Sequence, residues 1–220
     1  DPENRLWSRG PRMRLSAEAV RDNALAVSGL LEEELGGRSF YPPQTAGLWK
    51  EISFDPGRFT AQVYFPSEGR DLFRRSLYIF WKRAVPHPPL VAFNAPNRER
   101  CTVQRRLTNT PQQALVLMNE PTYLVAARSL GNWVTGLQVN SLDDRVDHLF
   151  RRILSRHPTV AERKILKTFY RQQRDRFETD GDAAEQLMEG VGKQLNTVTL
   201  ASWTMVAHTI LSLDEVITKP

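Results

Sequence analysis

The feature that most constrains the fold is the stretch of residues 198–213, in which apolar side chains lie on nearly every face of a helix. It contains Trp203, Met205 and Ile210. A helix that is apolar all round lies at the centre of a core. The stretch therefore predicts a central helix with other helices packed around it.

The surrounding helices are predicted from apolar residues that recur every three or four positions. Ser16 is a candidate N-cap for the first of them, and Gly36 and Gly37 are its candidate stop. The five consecutive apolar residues 114–118 imply a helix that is buried on most faces. The predicted segments are residues 15–35, 71–84, 110–118, 123–130, 142–153, 159–177 and, as one short helix, 183–189.

Two capping boxes give the clearest helix starts. In the first, the Thr110 oxygen can accept from an amide of the first turn, Pro111 suits the first helical position, and Gln113 can reach back. In the second, Thr159 precedes Glu162 by three residues. The connection "SRHP" just before it is short, which predicts that the two helices it joins are antiparallel neighbours.

Residues 38–67 lack the helical period. Within them, Asp55-Pro56-Gly57 is a turn signal between two partly alternating runs, so one short β-hairpin or a loop that wraps the helices fits equally well. The predicted fold is all-α, mainly helical, with six to seven helices and this irregular segment in the N-terminal third. We interpret residues 1–220 as a single helical domain, with residues 142–178 as a candidate helical-hairpin subdomain.

Composition excludes several classes of protein. Cys101 is the one cysteine, so an intrachain disulfide and a zinc site of paired cysteines are both excluded. No apolar run approaches the roughly 20 residues that cross a bilayer. The chain begins Asp1-Pro2-Glu3 without a signal peptide, and we interpret it as a fragment of a longer protein.

The net charge of +5 is unevenly distributed. Residues 70–106 hold nine Arg or Lys against two Asp or Glu, a local charge of +7. Residues 142–178 hold ten against six, a local charge of +4. Two interpretations of this basic surface stay open: a site for an acidic partner, or arginines that pair inside the fold and decorate helices.

A segment dense in arginine, asparagine and proline, residues 85–109, joins two predicted helices. Long connections in compact domains are functional or rigidly tied down. In the structural interpretation, polar side chains lock the loop onto the domain; the residues assigned to it are Asn94, Asn109, Thr110 and Gln113, with Asn97, Arg98 and Arg105. In the binding interpretation, the segment contributes to a surface made of Trp81, Arg83, His87, Asn97, Arg98 and Arg105.

The sequence offers no constellation for catalysis, and no cofactor or metal is predicted in this chain. Its four histidines form no close pair and no HExxH motif. His208 lies in the apolar helix and is expected to be a satisfied core residue. Cys101 has no histidine base within ten residues, so we expect an inert, buried thiol. Phe80 and Trp81 interleave with basic residues, but their helical spacing favours the core over stacking on nucleic acid.

Five ordered blocks resemble one known family. They read PRMRLSAEAVRDNALAVSGLL, GGRSFYPPQTAGLW, RRSLYIFWKRAVPHPPLVAFNAPNRERC, RRLTNTPQQALVLMNEPTYLVAAR and ASWTMVAHTILSLDEVI. Together they are similar to the C-terminal domain of unknown function in planctomycete surface proteins that carry a cytochrome c module. The resemblance implies an exported parent protein, periplasmic or at the cell surface, whose c-type haem lies outside this chain. Asn94 and Glu120 stand where the family pattern has aspartates, which favours a structural role for the loop.

Three functional hypotheses follow. The first is a non-catalytic interaction or scaffold module whose basic loop at residues 85–109 meets another domain of the parent protein, a redox partner or an acidic envelope polymer. The second is a hydrolase or carbohydrate-active domain with a site near residues 81–109, which requires two convergent carboxylates in a deep polar pocket. The third is nucleic-acid binding, which requires exposed aromatic rings beside the arginines.

Overall fold

The structure is a computed structural model that describes residues 1, 3–8, 10, 12–51, 63–139, 141–189 and 196–219. Ten α-helices lie in this described part of the chain, and the predicted all-α fold class is confirmed. Their bounds are α1 (Ala17–Ser28), α2 (Leu48–Glu51), α3 (Pro88–Ala92), α4 (Pro111–Asn119), α5 (Pro121–Thr135), α6 (Leu142–Leu154), α7 (Val160–Thr179), α8 (Gly181–Leu187), α9 (Thr197–Leu211) and α10 (Asp214–Ile217).

Helix α9 lies at the centre of the core, as its all-round apolarity predicts. Helices α5, α7 and α8 pack against it, and Trp203 is buried and stacks on Tyr170 with 4.5 Å between ring centroids. The closest approach is at Gly131 of α5, where a Cβ atom would lie 2.7 Å from Thr204 Oγ1 and 2.9 Å from the Thr204 nitrogen. A glycine at this position therefore lets the backbones of α5 and α9 meet.

Helix α1 begins as predicted but ends at Ser28, seven residues before the predicted end at residue 35. Ser16 caps it by accepting from the Ala19 N–H at 3.3 Å. Gly29 adopts a left-handed φ of +76°, and its N–H donates to the Ala26 carbonyl at 3.0 Å. Glycine carries no Cβ penalty in that conformation, so Gly29 acts as the C-cap.

The predicted helix over residues 71–84 is wrong. Two short 3-10 helices take up part of it, Gly69–Phe73 and Ser76–Tyr78. The backbone here pairs with a distant segment instead: the Phe40 N–H donates to the Tyr78 carbonyl at 3.0 Å, and the Phe80 N–H donates to the Phe40 carbonyl at 2.8 Å. The Tyr78 carbonyl and the Phe80 N–H therefore cannot take part in the repeating hydrogen bonds of an α-helix.

The small sheet joins the two ends of the described chain. Strand β1 (Met13–Arg14) pairs antiparallel with β2 (Thr218–Lys219), with Met13 opposite Lys219. The turn of the predicted hairpin, Asp55-Pro56-Gly57, lies within residues 52–62, outside the described residues. The start of its first run forms helix α2 and not a strand.

Helix α7 begins at its predicted cap. The Thr159 hydroxyl accepts from the Glu162 N–H at 3.3 Å, and the Glu162 carboxylate accepts from the Thr159 N–H at 2.7 Å, which completes the capping box. Buried side chains of α6 and α7, including Leu149 and Leu166, belong to the main core. The independence of residues 142–178 as a subdomain stays a prediction.

Helix α4 is less buried than its five apolar residues predict. Leu117 is buried, but Leu115 is 58% exposed and Met118 is 57% exposed. The reason is position: α4 lies at the edge of the bundle, where it packs against α3 and α5.

Candidate interaction site

The part of the predicted segment 85–109 that connects α3 to α4 is residues 94–109, and the name basic loop is kept for these residues from here on. Residues 97–107 are all exposed. They hold four arginines against one glutamate: Arg98, Arg100, Arg105 and Arg106 against Glu99. All five side chains are exposed to water, although Arg98 also contacts the Trp81 ring and Arg105 pairs with Glu18.

The two ends of the basic loop are tied to each other and to the domain. Asn94, at a left-handed φ of +59°, donates through Nδ2 to Thr108 Oγ1 at 2.7 Å. Gln113 donates through Nε2 to the same hydroxyl at 3.0 Å and to the Ala92 carbonyl at 2.9 Å. Hydrogen bonds therefore clamp the entry and exit of the loop together while its middle projects.

A second anchor connects the loop to both ends of the described chain. Arg14 of β1 donates through Nη2 to Gln113 Oε1 and through Nη1 to Asp214 Oδ1, each at 2.9 Å. Asn109 approaches the same Asp214 oxygen, with 3.5 Å between Nδ2 and Oδ1. The positions of the loop and of the small sheet are therefore linked.

Gln113 has a different role from the one predicted. Thr110 does cap α4, accepting from the Gln113 N–H at 3.3 Å. The Gln113 side chain, however, does not reach back to close a capping box. It is only 2% exposed and bridges Arg14, Ala92 and Thr108. A fully buried amide needs partners for both its oxygen and its nitrogen, and these three residues provide them.

Three of the predicted binding residues come together at the start of the exposed middle. The Trp81 indole N–H donates to the Asn97 carbonyl at 3.2 Å. The Arg98 guanidinium lies 4.9 Å from the centroid of the Trp81 ring, within the range of a cation–π contact. Arg98 has a left-handed φ of +61°, so the chain turns sharply where it meets the indole.

Arg105 lies apart from these three and pairs with α1. Its Nη1 is 2.5 Å from Glu18 Oε2. Burial acts to raise the pKa of Glu18, but the hydrogen bond from Arg105 and the local backbone outweigh it, so the pKa lies below the ordinary value. The pair is partly exposed, so its contribution to stability is small.

The remaining two predicted binding residues are not part of one surface. Arg83 is exposed. His87 is 4% exposed, and neither of its ring nitrogens has a hydrogen-bond partner. Burial, assisted by the charge of Arg21, lowers the pKa of His87 to about 4. His87 is therefore a neutral interior residue that cannot contact a partner at the surface together with Trp81.

A buried polar cluster lies where α1, α3 and α5 meet; it consists of Arg21, His87, Glu120 and Tyr123. Arg21 is 4% exposed, and its Nη1 donates to the Arg74 carbonyl at 3.0 Å and to Ser76 Oγ at 3.2 Å. Sequence reasoning missed Arg21. The signal was its spacing, because it lies four residues after Ala17 and three before Ala24, both of which face the core.

Glu120 caps α5 from the edge of this cluster. Its carboxylate accepts from the Thr122 N–H at 2.8 Å and from the Thr122 hydroxyl at 2.9 Å. Burial raises its pKa above the ordinary value, although Thr122 and Arg21 act in the other direction. A shortened aspartate side chain would reach these donors differently, so Glu120 fits its place as a structural cap.

The geometry that a hydrolase requires is not formed by the described carboxylates near residues 81–109. Asp22 and Glu120 both act on Arg21, but Asp22 lines one pocket with Arg75 and Leu31, whereas Glu120 lines another with Pro88 and Pro121. Within the described ranges, no group of three or more His, Cys, Asp or Glu side chains is placed to hold a metal ion.

The aromatic rings beside the basic residues already have protein partners. Phe80 stacks on Tyr41 with 4.7 Å between centroids. Trp49 packs edge-on against Tyr64 and carries the Lys82 ammonium 3.9 Å from its centroid. Together with the Trp81–Arg98 contact, this arrangement is typical of packing and not of a platform for nucleic-acid bases.

Cys101 is exposed in the middle of the basic loop, so the expectation of a buried thiol is wrong. It lies within the exposed residues 97–107, between the two anchored ends of the loop.

His208 is half-buried, and its Nε2 lies 3.2 Å from the Leu117 carbonyl, in agreement with a satisfied core histidine.

Fold and site together define a class: an all-α domain with a clamped, exposed basic loop. The chain belongs to the PSD1 family, whose description is "Protein of unknown function (DUF1553)" and whose model matches residues 1–170. That range contains the whole basic loop and confirms the resemblance to a domain of unknown function for the first four blocks. The fifth block, residues 201–217, lies outside the matched range. No curated protein and no solved structure matches the chain significantly. In the described part of the chain, no helix has the length and apolarity that a membrane crossing requires.

Proposed function

We propose that this domain is a non-catalytic interaction module that binds an acidic protein surface through residues 97–107 of the basic loop. The observation that carries the proposal is the contrast within the loop. Its ends are fixed by the hydrogen bonds of Asn94 and Gln113, whereas its middle is exposed and holds four arginines against one glutamate. A fixed base reduces the entropy that a partner must overcome when it orders the loop.

A protein partner is favoured over an acidic polymer by the apolar residues between the arginines. Val103 and Leu107 are exposed large apolar side chains in the same stretch. Protein interfaces combine an apolar centre with arginine, while a polyanionic chain offers little apolar surface to cover such side chains. The partner is therefore proposed to be acidic and partly apolar.

The resemblance found in the sequence suggests the setting of this interaction. We propose that the domain works in the periplasm or at the cell surface as part of an exported, cytochrome c-linked protein, and that the partner is another domain of that protein or its redox partner. With one cysteine, this chain cannot hold a c-type haem by two thioether bonds, so the proposed haem belongs to a different segment.

The test measures binding of the full 220-residue chain to immobilised poly-L-glutamate, an acidic polypeptide. We expect the affinity to fall between about 0.01 M and about 0.15 M salt, as the Debye length shortens from about 30 Å to about 8 Å. The double variant Arg100→Glu, Arg106→Glu should weaken binding about tenfold, the order expected when two exposed ion pairs become repulsive.

The matched control is Lys164→Glu, Arg171→Glu on α7, which changes the net charge equally at two exposed positions. Equal loss of affinity in both double variants would refute a specific role for the basic loop. Binding to a sulfated polysaccharide but not to poly-L-glutamate would replace the proposed protein partner by an acidic polymer.

A further inference from the structure

A groove lies beside the basic loop, between α3, α4 and residues 43–45. Its volume is about 570 Å³, within the range of ligand sites. Its walls are mainly apolar and include Pro43, Pro88, Pro89, Leu115 and Val116. This cavity, the α3–α4 groove, was not predicted from the sequence.

The groove follows one face of α4 from its first turn to its end. The α4 residues that line it are Gln112, Leu115, Val116 and Asn119, which is the spacing of a single helical face. These seven steps correspond to about 10 Å along the helix axis. An extended peptide of about three residues has the same length.

Exposed apolar side chains surround the groove. Leu115 and Met118 of α4 are more than half exposed, and Val91 of α3 is 46% exposed. Exposed apolar side chains beside an apolar groove are typical of an interaction site. Neither helix needs these side chains to pack against the core, since Leu90 and Leu117 already face inwards.

The two ends of the groove differ in their neighbours. Its Gln112 end lies at the start of α4, where the basic loop joins through Thr108 and Thr110. Its other end is formed by Asn119, Glu120 and Pro121. Glu120 is already engaged by Thr122 and lies near Arg21, whereas the loop that joins at the other end carries the exposed arginines Arg100 and Arg106.

We propose that the α3–α4 groove holds an extended peptide segment of the partner, in which about three apolar residues lie along α4 and an adjoining run of acidic residues reaches the basic loop. The proposal rests on the proposed function and adds to it the form of the partner. Charge complementarity selects the acidic run, the length of the α4 face selects an extended segment, and Leu115, Val116 and the groove prolines supply its apolar contacts.

The first experiment selects binders from a random twelve-residue peptide library displayed on phage, with the full chain as bait. The expected result is enrichment of peptides that join apolar residues to at least two acidic residues. Enrichment of basic peptides, or of acidic peptides without an apolar run, would overturn the inference.

The second experiment measures the affinity of the most enriched peptide, made synthetically, by fluorescence anisotropy. Leu115→Asp should weaken it about tenfold, because the variant places a charge in the apolar wall. The matched control Ile165→Asp changes an apolar residue of similar exposure on α7, 65% against 58%, and should leave the affinity unchanged.

The two proposals fail in distinguishable ways. If Leu115→Asp binds the peptide as wild type does while Arg100→Glu, Arg106→Glu loses poly-L-glutamate binding, the groove inference is wrong and the proposed function stands. If neither variant has an effect, both are wrong. A wild-type chain that dimerises in sedimentation, and that Leu115→Asp converts to a monomer, would show that a second copy fills the groove.

Discussion

The contact between Gly131 and Thr204 gives the sharpest test of the fold. In Gly131→Ala, the new Cβ would lie 2.7 Å from Thr204 Oγ1, 2.9 Å from its nitrogen and 3.1 Å from its Cα. Two of these atoms are backbone, so rotation of one side chain cannot relieve the overlap. Overpacking of a core costs about 1–3 kcal/mol, here towards the upper limit, while alanine in place of glycine returns about 1 kcal/mol of helix propensity.

We therefore expect Gly131→Ala to lower the free energy of unfolding by about 2 kcal/mol, and the melting temperature by about 4–8 °C for a chain of this size. Urea unfolding followed by circular dichroism gives the first quantity, and calorimetry gives the second. The matched control is Gly136→Ala at the end of the same helix, where φ is −76° and the nearest atoms are 3.6 Å away.

The control should change stability by less than about 0.5 kcal/mol. A Gly131→Ala protein as stable as wild type, or more stable, would refute the close approach of α5 and α9. Equal destabilisation by both variants would assign the effect to the loss of glycine and not to the contact.

Two further predictions concern buried polar groups. The folded-state pKa of His87, about 4, lies below its ordinary value of 6.5, so the unfolded chain binds a proton that the folded chain does not, and stability falls as the pH drops through that window. Between pH 7 and pH 5 the His87 contribution to this loss is about 2 kcal/mol. We expect His87→Leu to make the free energy of unfolding, measured with urea, depend less on pH over this range. An unchanged dependence on pH would contradict a buried neutral histidine. Gln113→Leu removes the shared partner of Ala92, Thr108 and Arg14, and should cost about 2–3 kcal/mol; the exposed neighbour variant Gln112→Leu is its control, and equal stability of the two would contradict the clamp.

The parts of the fold that the sequence predicts are those set by local periodicity and caps. The predictions of helix α9, from its all-round apolarity, and of the Thr159 capping box, from its local sequence, are both confirmed. Some of the wrong predictions lie where a distant segment forms hydrogen bonds with the backbone groups that a helix would use. Residues 71–84 have a helical apolar stripe, but pairing with Phe40 overrides it. Gly29 ends α1 before the more conspicuous glycine pair, because the first suitable left-handed cap stops the helix.

The sequence predicts which segment forms the candidate site, but not which residues contact one another there. Composition indicates that residues 85–109 are unusual, and the ring of Trp81 does meet Arg98. Sequence distance, however, cannot reveal that Gln113 bonds to Arg14, 99 positions earlier. Nor does it show that His87 turns inwards, or that Leu115 and Met118 of α4 are exposed among the described residues. Each depends on where a remote element packs, which local patterns do not encode.

The hydrogen bonds of Arg14 have a mechanical consequence. Its guanidinium donates hydrogen bonds to Gln113, just after the basic loop, and to Asp214, near the other end of the described chain. Its own backbone belongs to the two-stranded sheet. A pull that separates the strands would withdraw this guanidinium from both partners at once. Such a separation would loosen one attachment of the loop that we propose to bind a partner, so we expect the proposed binding to depend on tension across the sheet.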